Sequence, residues 1–272
     1  MAAKGGTGTR IVTGIVILAV LALAVWLGPV TRVLFFYALI WFGSREISDA
    51  FNHMGFRSTP WIARVLTAIH AALFYFDSIP VFHYSAISLV LILSRVVCLF
   101  KRVRVRDLVA SLAVCFYPCA LFLGFCYLAV QPNEIFYPVL LITLFATSFC
   151  DAFAYFFGRW FGKHKLCPTI SPKKTIEGAI SGTVLGTASA VISWLILKGS
   201  MSVPLYVYVI ASFFCTLAAQ VGDLCASAIK RQAGIKDFSN LFPGHGGAID
   251  RLDSFSFAMP TAFLILALFH AL

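Results

Sequence analysis

Residues 108–130 read LVASLAVCFYPCALFLGFCYLAV, a run of 23 residues without a charged side chain. Such a run is long enough for a helix that spans the hydrocarbon core of a bilayer. The run is preceded by the basic segment KRVRVR at 101–106 and followed by QPNE at 131–134, where the proline breaks a helix. We therefore predict a transmembrane helix that begins beside a basic loop and ends at a short turn.

The whole chain shares this apolar character. Of its 272 residues, 60% are hydrophobic and 12% are charged, and the mean hydropathy is +0.91. Soluble domains carry about 45–50% apolar and about 25% charged residues, and one water-soluble core would not bury so many apolar side chains. The composition excludes a soluble enzyme, a disordered chain and a disulfide-stapled secreted domain.

Apolar stretches recur along the chain and predict nine transmembrane helices. The expected fold class is an all-α polytopic integral membrane protein in which the second and third helices are short. We expect an N-terminal scaffold of lipid-facing helices at 1–140 and a second, C-terminal transmembrane region at 141–272. The stretches lie at about 11–27, 30–43, 61–76, 79–100, 108–130, 135–157, 179–197, 204–222 and 254–272.

The basic residues predict the orientation. With nine spans and a cytoplasmic N-terminus, 17 of the 21 Lys and Arg residues fall on the cytoplasmic side, and only Arg32 and Lys198 fall near outside loops. Because Lys and Arg are enriched in cytoplasmic loops, we expect the C-terminus outside and two long loops, 158–178 and 223–253, in the cytoplasm. For a bacterial protein, these loops would then face the cytoplasm at the inner membrane.

The net charge of +10 would lie mostly on that cytoplasmic face. A basic face attracts anionic lipid headgroups or nucleotides. Membrane lipids are therefore expected partners. Nucleic acid is not, because no soluble domain remains to present a binding groove. A homodimer is compatible with the sequence, through an apolar helix face that the sequence does not identify.

Carboxylates are scarce, so their positions are informative. Six of the eleven Asp and Glu residues lie between 151 and 253, in or beside the two long loops. Acids at a membrane face are costly unless they pair with basic residues or bind cations. Ion pairing is the simpler alternative, and it accounts for part of the set. The six acids are Asp151, Glu177, Asp223, Asp237, Asp250 and Asp253.

The segment from 222 to 253 combines acids, bases and glycines at ordered spacings. Asp250 and Asp253 are three residues apart and project together on a helix. Ahead of them, the turn 243–247 should expose backbone N–H groups before a helix start, which is an arrangement that binds anions. Carboxylates around such a turn, with lysines alongside, predict a Mg²⁺–polyphosphate site. A second helix face carries Asp223, Ser227, Lys230 and Arg231.

These residues resemble the signature of the CDP-diacylglycerol synthases, also called phosphatidate cytidylyltransferases. The family pattern is Ser, two variable positions, Lys-Arg, a spacer, Lys-Asp, a Pro-Gly-His-Gly-Gly-type turn and Asp-Arg-x-Asp. The matching segments here are Ser227-Ala-Ile-Lys230-Arg231, Lys236-Asp237, His245-Gly246-Gly247 and Asp250-Arg251-Leu252-Asp253.

Two further segments resemble the family. Asp151-Ala-Phe-Ala-Tyr155-Phe-Phe-Gly158-Arg159 is similar to its Asp-x-x-Ala-Tyr-x-x-Gly-Arg stretch. The resemblance covers 145–272 well, and 1–140 only as a hydrophobic pattern. The second segment, Ser171-Pro172-Lys173-Lys174-Thr175-Ile-Glu177-Gly178, is similar to the Ser-Pro-Lys-Lys-Thr-x-Glu-Gly loop of the family.

Departures from the family pattern are few: Ala226 stands where many bacterial members carry Glu, and Phe238-Ser239 replaces Ser-Gly.

The resemblance implies that CTP and phosphatidate give CDP-diacylglycerol and pyrophosphate, for phospholipid biosynthesis. It also implies that 141–272 is the catalytic region and, with the predicted topology, that the active site faces the cytoplasm. The lipid phosphate would attack the α-phosphorus of CTP without a strong base, so positioning and charge neutralisation would supply the rate. Mg²⁺, with or without a second cation, would be held by Asp223, Asp250 and Asp253, which with Lys230 are the expected catalytic residues. The expected substrate-binding residues are Asp151, Ser171, Lys173, Lys174, Thr175, Glu177, Ser227, Arg231, Lys236, Asp237, His245, Gly246, Gly247 and Arg251.

Two other functional classes share the membrane location. A transporter would place its charges mid-span in broken helices, often in two similar halves, whereas these charges cluster in loops of one half. A CTP-dependent polyprenol or phytol kinase would transfer the γ-phosphoryl group to an alcohol and would need a base for the hydroxyl proton. The complete run from Lys-Asp to Asp-Arg-x-Asp favours cytidylyl transfer over both.

Overall fold

The computed structural model describes residues 7–75, 81–98, 104–197 and 203–269. The described chain is almost entirely helical and contains one two-stranded β hairpin. The predicted class, an all-α polytopic membrane protein, is confirmed. The helices are α1 (Thr7–Leu27), α2 (Pro29–His53), α3 (Pro60–Tyr75), α4 (Val81–Cys98), α5 (Val105–Val114), α6 (Leu121–Val130), α7 (Asn133–Phe161), α8 (Ile176–Ala188), α9 (Ala190–Leu197), α10 (Leu205–Gln232) and α11 (Ile249–Leu268); the strands are β1 (Lys165–Cys167) and β2 (Ser171–Thr175).

Helical segments of the described residues coincide with the predicted apolar stretches when α5–α6 and α8–α9 are each taken as one. The apolar parts of α1 and α3, Val12–Leu27 and Pro60–Phe74, are shorter than a typical membrane span. The number of helices that cross the bilayer and their orientation stay predictions. Within the described ranges, five segments are long and apolar enough to span a membrane: Val105–Val130, Asn133–Phe161, Ile176–Leu197, Leu205–Gln232 and Ile249–Leu268.

Several helices extend beyond the predicted apolar stretches. Helix α2 continues to His53 rather than 43, α7 to Phe161 rather than 157, and α10 to Gln232 rather than 222. The predicted loop 223–253 is therefore helical at both ends, and the true connection is 233–248. Hydropathy marks where apolar side chains stop, whereas the backbone hydrogen bonds of the helix continue through the polar residues that follow.

The stretch 108–130 is not one continuous helix. A π-helical turn at Cys115–Ala120 separates α5 from α6, and Tyr117 within it has a φ of −129° and a ψ of 110°. Pro118 has no N–H to continue the helix, and it disfavours helical angles at the residue before it. The prediction of an uninterrupted helix is wrong at this proline.

Contacts divide the chain into two compact units that are interleaved in sequence. Unit 1 consists of Met1–Gln131 and Ile229–Arg251, and unit 2 of Pro132–Ala228 and Leu252–Leu272. Ile229–Arg251 carries the Lys-Arg, Lys-Asp and glycine-rich parts of the signature, and it groups with the N-terminal helices. The motif residues are therefore shared between the two units.

In unit 2, α8 packs closely against α7. Three glycines of α8 face α7 at four-residue intervals, and a Cβ on each would lie 2.6–2.9 Å from a carbonyl oxygen of α7. Small residues at this spacing let membrane helices approach closely. The packing holds the end of α7, which carries Asp151, against the start of α8. The three glycines are Gly178, Gly182 and Gly186.

Candidate active site

A cavity of about 650 Å³ opens in unit 2, between α7, the β hairpin, the first turns of α8 and α10. It brings two carboxylates, an amide and four cationic side chains together. Glycine and alanine residues form much of the remaining wall. The polar residues that line the cavity are Asp151, Tyr155, Arg159, Lys165, Lys173, Lys174, Thr175, Gln220 and Asp223.

The β hairpin carries three of the lysines. Strands β1 and β2 pair antiparallel, with Lys165 opposite Thr175. Thr175 ends the hairpin and caps α8, since its Oγ1 accepts a hydrogen bond from the N–H of Gly178 at 3.1 Å. Lys173 and Lys174 lie on β2 and lead directly into this helix, and the two strands were not predicted from the sequence.

Glu177, in the first turn of α8, braces the hairpin. Its carboxylate accepts the backbone N–H of His164 at 3.2 Å and lies 2.7 Å from His164 Nδ1. Since His164 directly precedes β1, this contact ties the start of the hairpin to the helix that follows it. Glu177 and Ser171, both predicted to bind substrate, lie outside the cavity lining of the described structure.

Asp223 and Lys174 form an ion pair within the cavity. Ser227 Oγ donates to the other carboxylate oxygen, Asp223 Oδ1, at 3.3 Å. Both charged side chains of the pair remain 28% exposed, so a ligand in the cavity can reach them. The prediction that Asp223 and Ser227 share a helix face is confirmed.

The cavity suits a magnesium ion. Mg²⁺ in nucleotide sites is held by one or two carboxylates together with substrate phosphates and water, and Asp151 and Asp223 both line this cavity. Among the described residues, no three His, Cys, Asp or Glu side chains come together as a metal site. A metal at these two carboxylates would therefore draw its other ligands from the substrate and from water.

In unit 1, the signature turn folds around the carboxylate of Asp250. Its Oδ2 accepts the N–H groups of Phe238 at 2.8 Å and of Gly247 at 2.9 Å, and its Oδ1 lies 2.7 Å from Lys230 Nζ. The ion pair is buried, since 13% of the Lys230 side chain and 3% of the Asp250 side chain are exposed. The structure thus pairs two residues for which the sequence predicts separate catalytic roles.

Glu46 of α2, a residue outside the signature, completes this turn. Its buried carboxylate accepts hydrogen bonds from Ser239 Oγ at 2.6 Å, Ala248 N–H at 2.9 Å and Ile249 N–H at 2.8 Å. Because α11 begins at Ile249, Glu46 supplies the negative charge that a helix start favours. Glu46 is not among the site residues predicted from the sequence, although an acid beside a predicted span is a signal.

The backbone N–H groups of the glycine-rich turn bind carboxylates of the chain itself, which differs from the exposed donors that the sequence predicts. Gly247 donates to Asp250, and the next two residues donate to Glu46. The same carboxylates explain the glycines. A Cβ on Gly246, where φ is +85°, would lie 2.8 Å from Asp250 Oδ2, and one on Gly247 would collide with the Glu46 carboxylate.

The remaining predicted residues lie around the signature segment. Asp253, in unit 2, is buried at the start of α11, where its backbone lies against Gly222 of α10 so closely that a Cβ there would collide. His245 is half-buried and lies beside Gly14 of α1. The exposed members are Arg231, Lys236, Asp237 and Arg251.

Gln220 of α10 is a second polar residue that is not among those predicted from the sequence. It lines the cavity, and its Nε2 donates to Thr183 Oγ1 at 2.8 Å and to the Ala179 carbonyl at 3.4 Å. The available signal was an amide within the apolar stretch 204–222, one helical turn before Asp223.

Comparison with known proteins matches the chain to the cytidylyltransferase family over residues 8–269. The phosphatidate cytidylyltransferase of Bacillus subtilis (strain 168) is 41% identical over 105 residues, which is 39% of this chain and 38% of that protein. The proteins of the same name from Staphylococcus saprophyticus and Staphylococcus aureus (strain COL) are 35% and 37% identical over 103 residues, or 38% of this chain and 39% of each relative. Since the family match extends over nearly the whole chain, the chain belongs to the cytidylyltransferase family.

Proposed function

We propose that this protein transfers the cytidylyl group of CTP to phosphatidate, forming CDP-diacylglycerol and releasing pyrophosphate. Membership of the cytidylyltransferase family supports a CTP-dependent reaction, and relatives that match part of the chain are named phosphatidate cytidylyltransferases. The observation that carries the proposal is the cavity of unit 2, where two carboxylates and four cations meet.

The cationic side chains of the cavity suit a triphosphate. A charge-assisted hydrogen bond from lysine or arginine to phosphate is worth about 1.5–3 kcal/mol, so Lys165, Lys173 and Arg159 together provide a strong dock. Lys174 differs from these three because Asp223 already holds its ammonium group in the cavity. A charge fixed before the reaction begins costs little reorganisation when negative charge develops.

The reaction exchanges one phosphorus–oxygen bond for another. A phosphate oxygen of phosphatidate bonds to the α-phosphorus of CTP, and the bond from that phosphorus to the bridging oxygen of the β-phosphate breaks. The attacking phosphomonoester is largely ionised near neutral pH because its second pKa is about 6, so no side chain has to remove a proton. The chain's own residues position the two phosphates and neutralise their charge.

Asp223 and Asp151 would hold Mg²⁺, which supplies further charge neutralisation at the phosphates when bound. Asp250 and Asp253 stay predicted ligands from the sequence. In the described structure, Asp250 already accepts two backbone N–H groups and pairs with Lys230. A metal role for Asp250 therefore requires that its ion pair with Lys230 open.

The exposed end of α7 supports a lipid substrate. Tyr155, which lines the cavity, is 59% exposed, and Trp160 is 65% exposed. Tyr and Trp are enriched where a membrane meets water, which is the depth at which the phosphate of phosphatidate lies. The excess of Lys and Arg in the same segment supports a cytoplasmic orientation for the cavity.

Labelled CTP tests the function. The purified protein in detergent micelles is given phosphatidate, Mg²⁺ and CTP labelled at either the α- or the γ-phosphorus. We expect the α label in lipid and the γ label in pyrophosphate, with no product when phosphatidate is omitted. A γ label in lipid would identify a kinase instead, and the absence of both labels from lipid would contradict lipid-directed transfer.

A further inference from the structure

Gln220 presents an amide whose orientation is fixed by its neighbours on α8. Its Nε2 donates to Thr183 Oγ1 at 2.8 Å and lies 3.4 Å from the carbonyl oxygen of Ala179. The Thr183 hydroxyl donates its own hydrogen to that same carbonyl at 3.0 Å, so toward Gln220 it offers only a lone pair. Both neighbours are therefore acceptors, and the amide has to turn its NH₂ group to them.

The carbonyl oxygen Oε1 is the other polar end of this planar amide. Gln220 lines the cavity, and among the described residues its Oε1 accepts no hydrogen bond. Asp223 lies one helical turn further along α10 and lines the same cavity. The cavity thus contains, beside its charged groups, a neutral acceptor that its surroundings prevent from becoming a donor.

We propose that Gln220 recognises the base of the nucleotide, with Oε1 accepting a hydrogen bond from the exocyclic amino group of cytosine. Uracil carries a carbonyl oxygen at the position where cytosine carries this amino donor, so the two bases differ in the group that meets Oε1. An amide that could rotate would serve either base. A fixed amide serves cytosine and repels uracil, and this inference rests on the proposed function because it takes CTP as the substrate.

The distribution of polarity in the cavity supports this orientation of the nucleotide. Lys165 and Lys173 are exposed on the hairpin, whereas Gln220 is partly buried, with its Nε2 3.6 Å from Cys150 Sγ. A triphosphate favours the exposed cations, and a flat, nearly neutral ring favours the part-buried end. The cavity wall also contains small, uncharged residues, namely Ala154, Gly158, Gly178 and Ala179.

Kinetics with two nucleotides tests the proposal. In Gln220→Met, which keeps the length of the side chain and removes its acceptor, we expect kcat/KM to fall about 10- to 100-fold for CTP. For UTP it should stay the same or rise, because the uracil carbonyl no longer meets an acceptor, so the preference for CTP collapses. The control is Thr187→Val, which removes a hydroxyl one turn further along α8 that bonds to the Thr183 carbonyl; its preference should equal that of the unaltered protein.

A nucleotide analogue tests whether the contact is direct. Pyrimidin-2-one ribonucleoside triphosphate lacks the 4-amino group, so the unaltered protein should bind it as weakly as Gln220→Met binds CTP. Gln220→Met should bind the analogue as tightly as it binds CTP, because the substitution and the analogue remove the same interaction. Calorimetric binding without phosphatidate gives the same comparison if the variant has lost turnover.

Three results would overturn the proposal. In the first, Gln220→Met weakens CTP and UTP equally, which would assign the amide to helix packing or to the phosphates. In the second, the fold-losses in affinity caused by Gln220→Met and by the analogue multiply when the two are combined, which would show that they remove different interactions. In the third, the variant changes discrimination between CTP and dCTP instead, which would assign the amide to the ribose. Failure of the unaltered protein to use CTP with phosphatidate would contradict the proposed function. The calorimetric binding comparison would still test whether Gln220 recognises the base.

Discussion

At the scale of single residues, Lys173 and Lys174 are adjacent in sequence but differ in their surroundings. The side chain of Lys173 is exposed on β2, whereas that of Lys174 is half-buried and paired with Asp223. A mobile exposed lysine gains contact with phosphate when the nucleotide binds. A lysine that is already held in place acts most strongly where charge develops during the reaction.

The two lysines should therefore separate binding from chemistry. We expect Lys173→Ala to raise the KM for CTP about tenfold and to leave kcat within about twofold, because it removes a contact made equally before and during the reaction. Lys174→Ala should lower kcat more than it raises KM. Steady-state kinetics in detergent micelles measures both, and an unchanged KM in Lys173→Ala would refute the docking role.

Asp223 is expected to act through charge. In Asp223→Asn we expect kcat to fall by at least about 100-fold, because the change removes both the partner of Lys174 and a proposed Mg²⁺ ligand. The variant should stay folded, since the side chain is partly exposed. Turnover is measured across a range of Mg²⁺ concentrations, with Asp49→Asn as the control for an exposed acid. Normal turnover of Asp223→Asn at ordinary Mg²⁺ would contradict the assignment.

At the scale of elements, Glu46 connects α2 to the start of α11. Its carboxylate satisfies two backbone N–H groups there as well as the hydroxyl of Ser239. In Glu46→Gln, one carboxylate oxygen becomes an NH₂ group, which is a donor and therefore cannot accept the hydrogen bond from the backbone N–H that faces it. A buried polar group left without its partner costs about 1–3 kcal/mol.

We therefore expect Glu46→Gln to lower the free energy of unfolding by about 1–3 kcal/mol, measured by denaturant unfolding in detergent. The matched control is Asp49→Asn on the same helix, whose ion pair with Arg45 at 3.8 Å is exposed on both sides. Exposed pairs of this kind are worth less than about 0.5 kcal/mol. Equal effects of the two substitutions would show that Glu46 does not hold the turn.

The helices were predictable because their apolar stretches are long, and the shared face of Asp223 and Ser227 follows from helical spacing alone. The hairpin was not, because β2 reads SPKKT and lacks the alternation of apolar and polar residues that marks a strand. The partners of Glu46 could not be predicted because they lie about two hundred residues away. Periodic sequence patterns predict helices and strands, but they do not predict hydrogen bonds between residues that are far apart in the sequence.

At the scale of the whole molecule, the distribution of charge predicts the topology of the chain. Thr169 on the hairpin turn and Asn240 in the signature loop are exposed and are predicted to face the cytoplasm. Glu134, exposed at the start of α7, is predicted to face the opposite side. The three positions therefore test whether α7 crosses the bilayer.

Cysteine labelling with a membrane-impermeant reagent measures this topology. We expect Thr169→Cys and Asn240→Cys to react only in inside-out vesicles, and Glu134→Cys to react only in right-side-out vesicles, because Lys and Arg flank the first two positions. Labelling at the introduced cysteine is read by peptide mass, and the unaltered protein gives the background from its own thiols. Reaction of all three from one side would overturn the predicted orientation.

The interleaving of the two units has a consequence for biosynthesis. A ribosome adds about 5–20 residues per second, so the donors at Ser239, Ala248 and Ile249 emerge roughly 10–40 seconds after Glu46 has been made. Throughout that interval, the Glu46 carboxylate of the nascent chain lacks the hydrogen-bond donors that it has in the folded protein, and an unpaired acid is costly at a membrane. Chains released before Ser239 are expected to stay incomplete in unit 1 and to be degraded. The helices that enter the membrane first are therefore among the last to be finished.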